Sequence, residues 1–377
     1  MNVQPDMKVL MTTDTVGGVW TYAVELALSL RAEDVQVRLA TMGAPINSVQ
    51  RRQIDAFHLD VCESEYRLEW MADPWADVEA AGRWLLDMEA EFEPDVVHLN
   101  GYAHAALPFR APTLVVAHSC VVSWWHAVHH AEPPDEWELY RRAVERGLQA
   151  ADLVVAPTWA MLDAIERCYG SLPHVGVVSN GRDPRWFAPG RKEPFALAAG
   201  RVWDEAKNVT AVETAARGLP WPVYLAGETQ HPVTGRVARQ GLRPLGMLDP
   251  EAMAEWLGRA SIFVHPARYE PFGLGVLEAA LSGCALVLGD LQSLRELWDD
   301  AAVFVPPNDH EALRAAMARL MADDLARRDL ARRACQRGLQ LTPERMAAGY
   351  CRAYRQLVSR SSNVASPSVV RPLTPDA

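Results

Sequence analysis

Cysteine is sparse in this chain. The six residues, Cys62, Cys120, Cys168, Cys284, Cys335 and Cys351, lie far apart and none forms a CxxC pair. That excludes a zinc ribbon or a disulfide framework and points to reduced thiols in a cytoplasmic enzyme. No run approaches the roughly twenty apolar residues that span a bilayer. The opening "MNVQPDMKVL" carries no basic-then-apolar signal pattern, so a cytoplasmic location is expected. A basic excess is missing as well: 37 Lys and Arg stand against 48 Asp and Glu, a formal charge of −11. A general nucleic-acid binder needs a basic face to release counterions, so that class is set aside. Between Asp60 and Asp95, 12 acidic residues face only Arg67 and Arg83. Such a segment reads as a solvated acidic face that repels anionic headgroups, which leaves at most peripheral membrane contact.

What is present is alternation. At 377 residues, 49% apolar and 23% charged, the chain is a soluble globular protein too long for one ordinary core. Short apolar runs, "KVLMTT", "VQVRLATM", "DVVHLN", "TLVVAHS", "LVVAPT" and "HVGVVSN", form a first series. A second series is "FALAAGR", "PVYLAGE", "SIFVHPA", "ALVLGD" and "AVFVPP". Runs of this length bounded by Gly, Pro or Asp are strands buried on both faces. With helical stretches between them, they predict an α/β protein of two Rossmann-like, doubly wound domains facing a cleft. The Pro-, Gly- and charge-rich "NGRDPRWFAPGRKEP" from Asn180 to Pro194 reads as the junction. The expected division is 1–183, a linker at 184–194, a second domain over 195–343 and a helix over 344–360. The polar, proline-containing end, 361–377, is expected to be disordered.

Ligands of such sheets settle beyond the carboxyl ends of the strands, so the loops there are where chemistry is sought. After the first strand, "TTDTVGGVWTYA" places Gly17 and Gly18 at a helix start, where bare amides can meet a phosphate. The turn lacks GxGxxG, and no acidic residue closes the next strand, so a dinucleotide fingerprint is absent. A purely structural turn stays open. After "FALAAG", Arg201 and Lys207 can clamp a diphosphate, or serve only as solvated cations. In "RYEPFGLGVLEAALSG", Pro271 keeps Glu270 out of a helix. Phe272, Gly273, Leu274 and Gly275 then present amides at a helix N-terminus. Glu278, within that helix, can accept two hydrogen bonds from the vicinal hydroxyls of a ribose, or simply favour the helix dipole. Glu270 alone can be read as a solvated loop acid.

These motifs have a common likeness. "E-PFGLGVLE" resembles the E-x7-E motif of retaining glycosyltransferases with the GT-B fold, family 4 type. The Gly-Gly turn, "DVVHLN", "ADLVVAPT", "SNGRDPRWF", "GR…KN" and "VPPND" match that family in order along almost the whole chain. The resemblance implies that Arg201 and Lys207 hold a donor diphosphate, Glu278 the ribose and Glu270 the hydroxyls of the transferred sugar. Amides from Phe272 to Gly275, with Gly17 and Gly18, would complete the cradle. His118 matches a histidine placed near the sugar and reactive carbon, with a hydrogen-bonded core histidine as the alternative. The loop Gly246, Met247 and Leu248 falls where the family binds the nucleobase. Two departures stand out: Asn208 replaces a common glycine after the lysine, and "DAAVFVPPND" lacks the glycine often found before its strand.

"SWWHAVHHAE" is peculiar to this chain. His126, His129 and His130 have helical spacing, but no carboxylate or cysteine completes a metal set, and the family's donor site needs no metal. Trp124 and Trp125, with His126 beside them, suggest an acceptor wall, or interdomain packing.

The expectation is therefore a metal-independent, cofactor-free retaining transferase. It would move a hexose-like sugar from a nucleotide-diphosphate sugar to a hydroxyl on a glycan, lipid-linked sugar or small metabolite, by a front-face route. The rivals are a sugar phosphorylase or nucleotide-sugar epimerase on the same fold, and a non-catalytic nucleotide-sugar-binding partner.

Overall fold

The computed structural model describes residues 7–227, 230–231, 235–236 and 241–364. Its first sheet has seven strands: β1 (Met7–Asp14), β2 (Val35–Met42), β3 (Asp60–Cys62), β4 (Val96–Leu99), β5 (Thr113–Val116), β6 (Leu153–Ala156) and β7 (Val175–Val177). They lie in the order β3-β2-β1-β4-β5-β6-β7, and every pairing is parallel. The second half holds β8 (Glu193–Ala199), β9 (Val223–Ala226), a small ribbon of β10 (Gln230–His231) and β11 (Gly235–Arg236), then β12 (Arg243–Gly246). It ends with β13 (Ala260–His265), β14 (Ala285–Gly289) and β15 (Ala302–Val305). Its main sheet runs β12-β9-β8-β13-β14-β15, again parallel throughout. Parallel strands need crossovers, and helices from those crossovers cover both faces, so β4, β5, β6, β13 and β14 are buried at every position.

In each sheet the order reverses beside the first strand, β1 or β8, which opens a crevice at the strands' carboxyl ends. The Gly18–Arg31 helix follows β1 and buries Tyr22, Ala23, Leu26, Ala27 and Leu30 on one face, while Trp20 and Val24 pack against Ile54 on another. The final helix, Pro343–Val364, leaves the second domain and returns to the first. There Met346, Tyr350, Tyr354 and Leu357 join the core of Val9, Met11, Leu26 and Leu114.

Several local expectations change. The Ala- and Arg-rich stretch after His310, inside the expected second domain, forms two helices, His310–Ala322 and Asp324–Gly338. Asp323 breaks it at φ −108°, ψ 95° and caps the second helix through Ala326 N–H. The final helix runs to Val364, past the start expected for the disordered tail, whose remainder lies outside the described residues. The acidic segment is not wholly solvated. Glu69 accepts from the Tyr102 and Ala103 amides, and Glu89 from those of Arg110 and Ala111, both buried. Among the described residues no helix is long and apolar enough to cross a membrane.

Candidate active site

The second domain assembles its rim from two adjacent strand ends. After β8, Gly200 turns the chain at φ 148°, and Asp204 caps the single turn Glu205–Lys207 through Ala206 N–H. That turn aims Lys207 at the loop after β13, where its Nζ lies 2.8 Å from Glu270 Oε2. His265, the last residue of β13, approaches the same oxygen at 3.0 Å, and Ser293 Oγ donates to the Glu270 carbonyl at 2.5 Å. Glu270 is therefore not a solvated acid. Burial opposes its ionisation, yet Lys207 and His265 outweigh that and hold it well below the usual carboxylate range.

Arg201 is half-exposed; it pairs with Asp204 at 3.1 Å and lies over the Trp203 ring. The Asn208 departure has a physical basis. Its φ is 51°, the left-handed region that glycine or asparagine tolerates. Its amide also donates to the Pro266 and Pro307 carbonyls, at 2.9 and 2.7 Å. An asparagine here keeps the glycine conformation and ties three loops together. Asp300, where "DAAVF" lacks its glycine, sits at φ 60° for the same reason.

Gly273 caps the Leu274–Leu281 helix at φ 88°, with no side-chain cap, so the helix start offers bare amides. The Phe272 side chain is core, which leaves only its backbone for a ligand. Glu278 lies one turn into that helix, and its Oε1 is 2.9 Å from Arg182 Nε of the junction. Gly246 ends edge strand β12 at φ 74°, Met247 is 73% exposed, and Leu248 packs on the core.

The first domain supplies the opposite rim. Gly17, at φ 94°, opens the Gly18–Arg31 helix with an uncapped start. Both glycines are exposed, and a Cβ on Gly18 would meet Leu274 of the other domain at 3.5 Å. The two uncapped helix starts thus face each other. Asp14, at the end of β1, was not singled out from sequence; it sits within the field of Arg201, and its Oδ1 is buried without a partner. Burial pushes it up to about 7 despite Arg201. His118 Nε2 lies 2.7 Å from Asn100 Oδ1, and its ring stands edge-on to Tyr22. Burial pushes it down to about 3, so it is neutral near pH 7.

The Val121–His129 helix touches the Glu205–Lys207 turn across the cleft. Trp124, Trp125 and His129 form one ring cluster, with centroids 4.5–5.7 Å apart. His126, expected beside the tryptophans, is turned to Glu132 at 3.2 Å and Cys168 at 3.8 Å; His129 occupies the place expected for it. Tyr269 also escaped the sequence reading. Its hydroxyl accepts from Cys120 N–H at 3.2 Å and pairs with Ser123 Oγ at 2.9 Å, while Thr158 Oγ1 donates to the Pro271 carbonyl. The first domain thereby grips the loop that carries Glu270. Such pairings join residues over a hundred positions apart, and no local spacing signals them.

Comparison with known proteins agrees with this architecture. Residues 16–186 match the family model described as Glycosyltransferase Family 4, and residues 193–323 that of Glycosyl transferases group 1. An O-antigen chain mannosyltransferase B of Escherichia coli is 29% identical over 176 residues, 43% of this chain and 46% of the relative. A glycogen synthase of Mycobacterium tuberculosis is 28% identical over 278 residues, 67% of this chain and 66% of the relative. The chain thus spans about half to two thirds of these curated relatives. Anabaena HepE, solved in complex with UDP-glucose, superposes with a TM-score of 0.74 at 16% identity, covering 95% of this chain and all of that one. Matched in order by both family models, and built on the same two parallel-sheet domains, the chain belongs to the GT-B glycosyltransferases of family 4 type.

Proposed function

We propose that this chain is a retaining glycosyltransferase that moves a hexose-like sugar from a nucleotide-diphosphate sugar to a hydroxyl acceptor. The observation that carries it is the Lys207–Glu270–His265 cluster, set beside Arg201 and the bare helix start at Gly273. Cations and amides on one rim suit a diphosphate, and a buried, ionised carboxylate between them suits sugar hydroxyls. The HepE neighbour's UDP-glucose supports the donor class.

In the front-face route the bond from the anomeric carbon to the diphosphate oxygen breaks. The acceptor oxygen bonds to that carbon on the same side, and its proton passes to the departing phosphate. Arg201, Lys207 and the helix amides stabilise the charge that grows on the leaving group, without a metal. Neutral His118 spends its Nε2–H on Asn100 Oδ1, so its Nδ1 can accept a hydrogen bond from a sugar hydroxyl but carries no charge to stabilise the leaving group. Acceptor binding falls to the first-domain rim, where Trp124 and Trp125 offer flat faces to a sugar ring. A glycan, lipid-linked sugar or small metabolite, met in the cytoplasm, fits that rim.

Thermal shift with UDP, GDP and ADP tests the reading, each run against the Arg201→Ala/Lys207→Ala variant. Stabilisation by one nucleotide, lost in the variant, is expected. No shift with any of them turns the reading toward a phosphorylase or a non-catalytic partner, which phosphate dependence then separates. The anomeric configuration of the product tests retention directly.

A further inference from the structure

The junction between the domains contributes one buried charge. The Arg182 side chain is 11% exposed, and its partners Glu25 and Glu278 are 12% and 17% exposed. Glu25 lies on the Gly18–Arg31 helix of the first domain and pairs with Arg182 Nη1. Glu278 lies on the Leu274–Leu281 helix of the second and sits 2.9 Å from Arg182 Nε. One guanidinium therefore joins a carboxylate from each domain.

The backbone around it is pinned too. Arg182 N–H donates to the Leu341 carbonyl at 3.1 Å, and a Cβ on Gly181 would strike the Thr342 carbonyl at 2.3 Å. The outgoing linker and the segment entering the final helix are thereby fastened where the chain crosses between domains. Asp183 N–H donates to Glu25 at 2.9 Å, Asp183 itself is held by Arg185, and Phe187 lies 4.9 Å under the guanidinium.

Two carboxylates share one cation here. Burial raises both above the ordinary glutamate value, and Arg182 is the foremost group pulling each back. For Glu278 it is the one ionic partner among the described residues. Without it, burial alone would act on that carboxyl and favour its protonated form, which gives up part of its acceptor capacity for two hydroxyls.

We infer that Arg182 is a positioning residue: set between the two domains, it holds the Glu278 carboxylate in place to meet the donor's ribose. This rests on the reading above that Glu278 meets the vicinal hydroxyls of a nucleoside diphosphate. A guanidinium ion-paired to one carboxylate oxygen leaves the other oxygen's lone pairs for a diol.

The test compares UDP, GDP or ADP, whichever binds, with its 2′,3′-dideoxy form, using wild type, Arg182→Gln and Glu25→Gln. Wild type should prefer the ribonucleotide by roughly tenfold or more, as charged hydrogen bonds to hydroxyls do. Arg182→Gln should bring the two forms within about threefold by weakening the ribonucleotide alone. Glu25→Gln, which removes the competing carboxylate, should keep the preference. Parallel loss of both forms in Arg182→Gln would mark a merely structural role and overturn the inference, as would an unchanged preference. Should that variant fail to fold, Arg182→Lys is expected to give an intermediate preference, and full preference there overturns the inference. A wild type that binds a nucleotide without preference overturns this inference alone; one that binds none of the three overturns the proposed function as well.

Discussion

On the second-domain rim, Lys207, His265 and Glu270 are already bound to one another, and Asn208 locks three loops behind them. On the first-domain rim, Asp14 keeps a buried oxygen without a partner, and Trp124, Trp125 and His129 form a ring cluster at the cleft. The contrast has a physical meaning. On the function proposed above, a leaving diphosphate always develops the same charge, so the half that meets it can be organised in advance and held by ion pairs that need no ligand. The first-domain half, with a buried carboxyl oxygen that has no partner and, elsewhere on the rim, flat aromatic faces, is the less organised of the two.

Breaking the organised half should have the largest effect. Glu270→Gln and Lys207→Ala are each expected to lower transfer by about 10³-fold or more, as loss of a preorganised transition-state contact does. Circular dichroism should remain native in both. Lys207→Ala should also lower Tm by several degrees, because it strips a buried carboxylate of its cation. Near-normal turnover in either variant would remove that residue from the mechanism.

Substitution on the other rim should separate the two halves. Trp124→Ala and Trp125→Ala should raise the acceptor KM by roughly threefold to tenfold, from about 0.5–1.5 kcal/mol per aromatic contact. Nucleotide affinity, measured by calorimetry, should not move; if it does, the pair is interdomain packing and not an acceptor wall.

A smaller effect concerns stability against pH. The folded state raises Asp14 from 3.8 to about 7, so its protonated form is favoured on folding. That contribution is fully present below about pH 4 and lost as pH rises through 7. Asp14→Asn removes the loss, so its Tm relative to wild type should rise between pH 5 and pH 8. A difference independent of pH would show that Asp14 is already satisfied. The smallest change belongs to Met247→Ala, an exposed position where stability should shift by no more than about 0.5 kcal/mol.

The fold was legible because buried parallel strands have a plain signature. Runs such as "TLVVAHS" and "SIFVHPA" are apolar at successive positions, and the residues that follow each run form the rims. The placement of Arg201, Lys207, Glu270 and Glu278 was legible for the same reason, since each stands at a strand end or near a helix start within a local motif. The break at Asp323 was not, because alanine and arginine on both sides favour helix and only the capping geometry stops it. Glu69 and Glu89 read as surface charge because the amides that receive them lie more than twenty residues away.

The sequence by itself determined two parallel-sheet domains, their junction and the loops that carry charge, because burial and turn chemistry act over a few residues. Tertiary structure alone decided the partnerships: Asp14 within the field of Arg201, Tyr269 held by Ser123, and Arg182 between Glu25 and Glu278. Each joins groups on different elements, and in a buried cleft the ionic state of a group is set by what lies across from it, which no neighbour along the chain reveals.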